Sequence, residues 1–567
     1  QDALDSEFEP LASGTGALDD QVAGTLSREL LEDLADNCDG SVGTDFGRPV
    51  GAASDGNAPG DPYPEPDPER HAFQIRFTVE EAGDPTNVGR YRKTLFAYRD
   101  DGNLPGWPRA VGQGADPERR ITATGGEVPP RLFDLDGDNA LDVILATSSG
   151  EIHVLDSTGA PLPEWNGGQP VRTQTLAVAA AHSTPAAFDK PRETPRAPAI
   201  GDLDGDLEPD VVTTAGEHVY AWDRTGEPLA GFPVRIDPDL SEPCVEGVAK
   251  PCFDAADRAI TSDNHIKRGF LGAPALADLD GDGGLDVVAG SLDQHVYAWD
   301  GAGELLPGFP AKLESEGAPG AEIVTSPAIA DLEGDGQPEV ILATNEVVPG
   351  DPQFPANPFD LFNAVLGSST GSNPVYALHG DGTPVEGWPV SVGVAAGDLL
   401  PLVLPGNDAA VLDEDGDGDD EVVVSAATSL GLGGTRLVDG DGSTAQAFQS
   451  LTGDSLDPSA VLNLADYAAV GALDGAAPSV IKGGLTAAGA ANLLAANQNL
   501  PFAHVVQAWD PSSGQGLAGY PRATDDFQLL GQPAVAKVDA SGTNRAALYG
   551  TGLYQLHAYG PGGAEAT

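Results

Sequence analysis

Acidic side chains recur at alternate positions in five nine-residue segments of the chain, each close to Asp-x-Asp-Gly-Asp-x-x-x-Asp. Alternate residues of a tight loop point towards one centre, the glycine at position 4 permits a positive φ, and position 7 can offer its backbone carbonyl. Hard oxygen ligands in such a loop suit Ca²⁺, which accepts roughly six to eight oxygens. We therefore expect about five calcium ions, one in each loop. The expected ligands are Asp134, Asp136, Asp138, Ala140 and Asp142 in loop 1; Asp202, Asp204, Asp206, Glu208 and Asp210 in loop 2; Asp278, Asp280, Asp282, Gly284 and Asp286 in loop 3; Asp331, Glu333, Asp335, Gln337 and Glu339 in loop 4; and Asp413, Asp415, Asp417, Asp419 and Glu421 in loop 5.

A solvated acidic turn is the alternative for any single segment, because Asp and Gly favour turns without a metal. Recurrence of one register in five segments favours the metal. Mg²⁺ would require stricter octahedral geometry, and softer metals would require His or Cys ligands. An EF-hand would require a bidentate Glu at position 12 and flanking helices, whereas strands rich in Val and Ile follow these segments. We expect a structural metal that holds the turn, since its carboxylates would otherwise repel one another.

The acidic segments belong to a repeat of roughly 40 residues. Three copies align clearly, beginning at Ala197, Ala273 and Ser326. Each contains a short apolar strand, the acidic turn, a Val/Ile strand, an alternating strand and a Gly-aromatic-Pro exit. Seven such front halves predict an all-β propeller of seven four-stranded blades, with eight as the alternative if residues 71–111 form a full sheet. The back half of a repeat near residues 95–109 would complete the last blade and close the ring.

The remaining segments divide the chain into an extension and a propeller. Residues 1–70 are predicted to form an N-terminal extension, with one amphipathic helix carrying Leu18 to Leu34 and a linker rich in Pro, Gly and Asp. Residues 71–567 form the predicted propeller, which is interrupted by insertions at 236–270, 345–373 and 450–500. Cys244 and Cys252 flank a short segment and could close a disulfide, whereas Cys38 has no evident partner in the chain.

The repeats resemble FG-GAP/VCBS-type repeats, which form the propellers of integrin α-subunit heads and of many bacterial secreted proteins. The resemblance spans about residues 94–560, and its clearest instance is Ala277-Asp-Leu-Asp-Gly-Asp-Gly-Gly-Leu-Asp-Val-Val288. It implies a calcium-binding propeller used in adhesion, in ligand binding or as a module of carbohydrate-active enzymes. The last two units depart from the pattern after Leu473 and Val538, and we assign them no metal.

Charge and composition limit the classes of partner. The chain has 88 Asp and Glu against 28 Lys and Arg, a net charge of −60 that repels nucleic acids and anionic membranes and attracts divalent cations. No apolar run approaches the roughly 20 residues of a membrane span. The chain has no Met and begins with Gln. We therefore expect a secreted or cell-surface protein, bacterial in origin, whose signal peptide has been removed.

No HExxH or P-loop motif occurs in the sequence, and carboxylate pairs are too abundant to single out a glycosidase dyad. The recurring Trp222, Trp299 and Trp509 could stack on sugars, but their matched positions favour packing within sheets. We expect a non-catalytic binding, adhesion or structural subunit of an extracellular assembly. Its partner would be a protein or like subunits, with a glycan as a further candidate. The alternative is a polysaccharide lyase or hydrolase on the same scaffold.

Overall fold

The computed structural model divides the chain into two units, Gln1–Pro108 and Arg109–Thr567. In the first unit, strands β1 (Ala72–Glu81) and β2 (Asp84–Phe96) pair antiparallel as a hairpin. The residues that the structure describes are 72–81, 84–96, 129–175, 192–240, 269–313, 323, 325–344, 372–394, 409–425, 435–448, 461–462, 468–473, 477–486, 504–524, 533–537, 545–550 and 556–563.

The second unit contains seven antiparallel sheets that form the blades of a propeller ring. Two short 3-10 turns, Asn166–Gly168 and Pro561–Gly563, are the helical segments among the described residues. The strands are, in blade 1, β3 (Arg131–Phe133), β4 (Asp142–Thr147), β5 (Glu151–Leu155) and β6 (Val171–Arg172); in blade 2, β7 (Ala199–Gly201), β8 (Asp210–Ala215), β9 (His218–Trp222) and β10 (Val234–Arg235); in blade 3, β11 (Ala275–Ala277), β12 (Asp286–Gly290), β13 (His295–Trp299) and β14 (Ala311–Lys312); in blade 4, β15 (Ala328–Ala330), β16 (Glu339–Ala343), β17 (Ser372–Leu378) and β18 (Val390–Val394); in blade 5, β19 (Ala410–Leu412), β20 (Glu421–Ser425), β21 (Thr435–Val438) and β22 (Thr444–Ala447); in blade 6, β23 (Val461–Leu462), β24 (Ala469–Gly471), β25 (Ser479–Thr486), β26 (His504–Trp509) and β27 (Arg522–Thr524); and in blade 7, β28 (Ala534–Ala536), β29 (Ala546–Gly550) and β30 (Leu556–Tyr559).

The pattern of apolar and polar residues in each strand matches how far that strand is buried within its blade. The second and third strands of blade 3, β12 and β13, are buried at every residue because both faces of the sheet are covered. The outer strand β10 alternates instead, with Val234 buried and Arg235 exposed. The inner strands of successive blades lie side by side around the ring, in the order β7, β11, β15, β19, β24 and β28.

Six clusters of buried side chains join neighbouring blades, and each draws its residues from two consecutive blades. Between blades 3 and 4, Val288 and Val296 pack with Val340 and Leu342. Burial of each such side chain contributes roughly 1.5–3 kcal/mol, so a blade depends on its neighbours for most of its core.

The recurring tryptophans are part of this core. Trp222 and Trp299 are buried, and each stacks on the tyrosine two residues earlier with ring centroids 5.5 Å apart. Residues two apart in a strand share one face, which explains the stacking. Trp509 is also buried, and it lies against Phe448 of blade 5. The packing role predicted for these tryptophans is confirmed.

Seven blades are confirmed, and within the segment 71–111, on which the alternative of eight blades depended, the described strands β1 and β2 form a two-stranded sheet. Five blades have four strands; in blade 6 the inner edge is built from β23 and β24, which both pair with β25. Blade 7 has three described strands. The predicted closing segment lies largely within residues 97–128, which are outside the described ranges, as are the N-terminal helix, the three cysteines and most of the three insertions.

Candidate metal centres

All five acidic loops occupy the same place in their blades. Each loop joins the first strand to the second, and its position 9 is the first residue of the second strand. In blade 3, for example, Asp286 pairs with Ala277, which is the last residue of β11. The strand pairing therefore holds the two ends of each loop at a fixed separation.

The backbone of each loop turns through two residues with positive φ. Position 4 is always the predicted glycine, with φ between 64° and 81°. Position 6 also has a positive φ, which the sequence did not reveal because the residue there varies. The position-6 residues are Asn139 (68°), Leu207 (69°), Gly283 (91°), Gly336 (83°) and Gly418 (103°).

The carboxylate at position 9 links the end of the loop to its beginning by a hydrogen bond. It is buried in every blade, and one of its oxygens accepts the backbone N–H of position 2. The five hydrogen bonds run from Leu135 to Asp142 (2.9 Å), Leu203 to Asp210 (2.8 Å), Leu279 to Asp286 (2.8 Å), Leu332 to Glu339 (2.8 Å) and Glu414 to Glu421 (2.6 Å). This anchoring role differs from a purely ligating one, and the alternating pattern alone did not indicate it.

Burial raises the pKa of these position-9 carboxyl groups. Loss of solvent, reinforced by the neighbouring loop carboxylates, raises the pKa of Asp210 and Asp286 to about 6 and that of Glu421 to about 7. The pKa of Asp142 is also raised, first by burial. A cation beside these groups would offset both burial and repulsion.

Position 7 donates its backbone N–H to the carboxylate at position 5 in every loop. The bonds run from Ala140 to Asp138 (2.6 Å), Glu208 to Asp206 (2.8 Å), Gly284 to Asp282 (2.7 Å), Gln337 to Asp335 (2.8 Å) and Asp419 to Asp417 (3.3 Å). The N–H bond is independent of the side chain, which explains why the residue type varies. The ligating role of the position-7 carbonyl stays a prediction.

Four loops bring three carboxylates together, with one oxygen from each within 4.8 Å of the others. The groups are Asp134, Asp136 and Asp142 in loop 1; Asp202, Asp204 and Asp206 in loop 2; Asp278, Asp280 and Asp282 in loop 3; and Asp413, Asp415 and Asp417 in loop 5. In loop 3, the buried Oδ1 of Asp278 has no hydrogen-bond partner among the described residues. All-oxygen donors and an unpartnered buried carboxylate oxygen fit a hard cation such as Ca²⁺.

Loop 4 brings a different set together. Glu333 and Glu339 converge with His379, and one ligand atom of each lies within 4.8 Å of the others. Its Asp331 and Asp335 accept backbone N–H groups of the loop, as positions 1 and 5 do in the other loops, but they are not part of the converging group. Sequence reasoning missed His379, although the repeat alignment contains the signal: blades 2 and 3 have Asp where blade 4 has this His.

The loops also contact the next blade around the ring. In blades 3, 4 and 5 a glycine follows the hairpin aspartate or histidine and packs on the position-2 carbonyl of the preceding loop. A Cβ added to these glycines would lie 2.0 Å from the Leu203 oxygen for Gly301, 1.8 Å from the Leu279 oxygen for Gly380 and 1.9 Å from the Leu332 oxygen for Gly440. Loops 4 and 5 exchange hydrogen bonds as well, since the N–H of Asp331 donates to Asp420 Oδ2 (3.0 Å) and the N–H of Asp420 to the carbonyl of Asp331 (2.8 Å). Loop geometry and blade packing are therefore coupled.

Residues 278–342, which contain loops 3 and 4, match the family model of the FG-GAP-like repeat. The chain thus carries FG-GAP-like repeats on a seven-bladed propeller. No curated protein matches the chain. Within the described ranges, no helix has the length and apolar character of a membrane span.

Solved structures similar to this chain share little sequence with it. BBS1N in complex with ARL6DN is 10% identical with a TM-score of 0.40, covering 76% of this chain and 91% of that one. Rhamnogalacturonan lyase YesW is 14% identical with a TM-score of 0.36, covering 76% and 66%. The V. cholerae biofilm matrix protein Bap1 is 14% identical with a TM-score of 0.38, covering 78% and 80%.

Proposed function

We propose that this propeller of FG-GAP-like repeats is a secreted, calcium-binding protein that acts by binding, as an adhesion or structural subunit of an extracellular assembly. The observation that carries the proposal is the recurrence of one preformed loop. Loops 1, 2, 3 and 5 each hold three carboxylates with oxygens within 4.8 Å of one another. Acidic groups placed this closely repel one another unless a cation lies between them.

Calcium would strengthen the ring at the junctions between blades. The residues at positions 1, 3 and 5 would hold the ion in loops 2, 3 and 5, and those at positions 1, 3 and 9 in loop 1. Because Gly301 and Gly380 pack on the backbones of loops 2 and 3, an ordered loop also orders its contact with the next blade. The ion would therefore stabilise pairs of blades as well as single turns.

The exposure of these loops suits an extracellular site. Positions 3 and 5 of loops 2, 3 and 5 are exposed to solvent, and calcium sites of extracellular modules bind weakly, with Kd values of roughly 10⁻⁴–10⁻³ M. A net charge of −60 also favours surroundings in which divalent cations are abundant.

Binding is favoured over catalysis by the way the blades use their histidines. His218 contacts Glu193 at 2.9 Å, and His153 contacts Glu151 at 3.3 Å. His295 Nδ1 donates to the carbonyl of Asp293 at 2.8 Å. These contacts hold the turns and strands of their own blades. The acidic surface would favour a protein partner with a basic surface, which charge attraction would steer into contact.

The proposal is tested by melting the chelated full chain with and without CaCl₂, beside the variants Asp280→Asn and Glu227→Gln. Asp280 belongs to loop 3, whereas Glu227 is an exposed carboxylate outside the loops. We expect Ca²⁺ to raise the melting temperature, Asp280→Asn to reduce that rise, and Glu227→Gln to leave it unchanged. Equal Ca²⁺ responses in all three proteins would contradict calcium binding in the loops.

Catalysis is tested separately by incubating the calcium-loaded protein with acidic and neutral polysaccharides and measuring the release of reducing ends. We expect no release. Turnover on any of these polymers would replace the binding role with that of a lyase or hydrolase, and would leave the calcium result intact.

A further inference from the structure

The fourth blade departs from the other repeats at two positions that meet in space. Position 3 of loop 4 is Glu333 where the other loops have Asp, and the hairpin begins with His379. At the hairpin position five other blades have Asp, namely Asp156, Asp223, Asp300, Asp439 and Asp510. The ligand atoms of these two changed side chains converge within 4.8 Å with that of Glu339, whose residue type loop 5 shares.

The side chain of His379 does not cap its hairpin, whereas aspartates at this position do so in blades 1, 2, 3 and 6. In blade 2, for example, the carboxylate of Asp223 accepts the N–H of Thr225 at 2.8 Å. In blade 4 the cap is Asp381, two residues after His379, which accepts the N–H of Thr383 at 3.0 Å, as Asp441 does for Ser443 in blade 5. The imidazole of His379 is thereby free of the turn, and its Nδ1 lies 3.3 Å from Glu339 Oε1.

Glu339 is fixed in the orientation that this contact needs. Its Oε2 accepts the N–H of Leu332 at 2.8 Å, so Oε1 is the oxygen directed at His379. The Glu339 side chain is 2% exposed, while that of His379 is 32% exposed. Glu333 completes the group from the exposed side of the loop.

The group opens on a cavity of about 330 Å³ between blades 3 and 4. Glu339 and His379 line the cavity together with Asp280, Asp335 and Asp381. Gly380 forms part of its wall, where the hairpin of blade 4 rests on the backbone of loop 3. The cavity gives an ion an entry path and leaves room for ligands that the protein does not supply.

We propose that loop 4 binds a divalent first-row transition metal of the Zn²⁺ class, and not Ca²⁺. A neutral imidazole nitrogen is a good ligand for such ions and a poor one for Ca²⁺, which prefers oxygen. One His and two carboxylates provide three protein ligands, and the cavity beside Glu339 and His379 leaves an open coordination position. The inference does not depend on the calcium proposal, since it uses a different donor set.

The test uses the chelated full chain in excess CaCl₂ and Co²⁺ as the probe, because bound Co²⁺ is detected by its visible absorption. The variants are His379→Asp, which introduces the residue found in blades 1, 2, 3, 5 and 6, and Glu333→Gln. His153→Gln is the matched control, since His153 lies at the same 3.3 Å distance from a glutamate but belongs to none of the three-donor groups formed by the described residues. We expect one Co²⁺ per chain, displaced by Zn²⁺ and not by millimolar Ca²⁺. Both site variants should bind Co²⁺ at least tenfold more weakly, and the control should bind it as the wild type does.

Co²⁺ binding that survives both site variants, or that Ca²⁺ displaces, would overturn the proposal, as would no Co²⁺ binding at all. Melting of each variant in CaCl₂ checks that it folds. If His379→Asp is unfolded, the exposed Glu333→Gln decides the outcome. Absence of calcium uptake in parallel samples would count against the calcium function alone, because the Co²⁺ signal is read independently.

Discussion

Gly301 offers a sharp test of the coupling between an acidic loop and the next blade. It follows Asp300 in the hairpin of blade 3, and a Cβ at this position would lie 2.0 Å from the carbonyl oxygen of Leu203 in loop 2. Real Cβ contacts are at least about 3.0 Å, so Gly301→Ala requires one backbone segment to move by about 1 Å. Overpacking of this kind costs roughly 1–3 kcal/mol, and both sides of this contact are backbone, which places the expected loss at the upper end.

The displacement should also reach the metal site of loop 2. The N–H of Leu203 donates to the buried Asp210 at 2.8 Å, so a shift of Leu203 disturbs the anchor of that loop. We expect Gly301→Ala to lower the midpoint of urea unfolding in CaCl₂ and to weaken binding of one calcium ion. The matched control is Gly550→Ala, since a Cβ at Gly550 meets nothing within 4 Å. Equal stability of Gly301→Ala and wild type, within about 0.5 kcal/mol, would refute the coupling between loop and blade.

Three further predictions concern single groups. Leu207 is 90% exposed and has a φ of 69°, a left-handed conformation that Asn adopts more readily than Leu. Leu207→Asn should therefore stabilise the protein by about 1 kcal/mol in thermal melts. Leu141→Asn is the control, at an exposed position of loop 1 without a positive φ, and should not stabilise it. Hydrogen bonding to His153, and the charge of Arg172, lower the pKa of Glu151 to about 2, so its stabilising effect is present above its ordinary value of 4.5 and is lost as the pH falls to about 2. Glu151→Gln should therefore destabilise the protein at pH 7 and have little effect at pH 2, and an equal loss at both pH values would contradict this ion pairing. Burial raises the pKa of Glu421 to about 7, so in chelator its contribution to stability is present below about pH 4 and is lost as the pH rises through 7. In chelator, the melting temperature of the wild type should fall as the pH rises from about 4 to 7, and that of Glu421→Gln should fall less. CaCl₂ should abolish the fall in the wild type. A pH profile that neither the substitution nor CaCl₂ changes would argue against a cation offsetting this carboxylate.

The sequence was sufficient to predict the blades because each repeat combines short strands with one turn whose chemistry is local. Val and Ile runs such as those of β12 and β16 can be buried on both faces only when other sheets cover them, which indicates radial stacking. The glycine at position 4 predicts its own positive φ. These features depend on neighbours in the chain.

Features that depend on neighbours in space were not predictable in the same way. The anchoring of Glu339 by Leu332 follows from strand pairing, which fixes the distance between positions 2 and 9. His379 is 40 residues from Glu339, and its approach is set by the pairing of β16 with β17. The contact of Gly380 with loop 3 crosses between blades. A repeat alignment shows that these residues differ or recur, but only the assembled ring shows what they touch.

The number of calcium ions bound per chain tests the account most directly. Chelated protein should be dialysed to equilibrium against Ca²⁺ and the bound metal counted, for the wild type and for Asp204→Asn and Asp415→Asn. Loops 1, 2, 3 and 5 predict four ions in the wild type and three in each variant, because each substitution removes one of three converging carboxylates. A wild-type chain that takes up no calcium, or variants that still bind four ions, would contradict it.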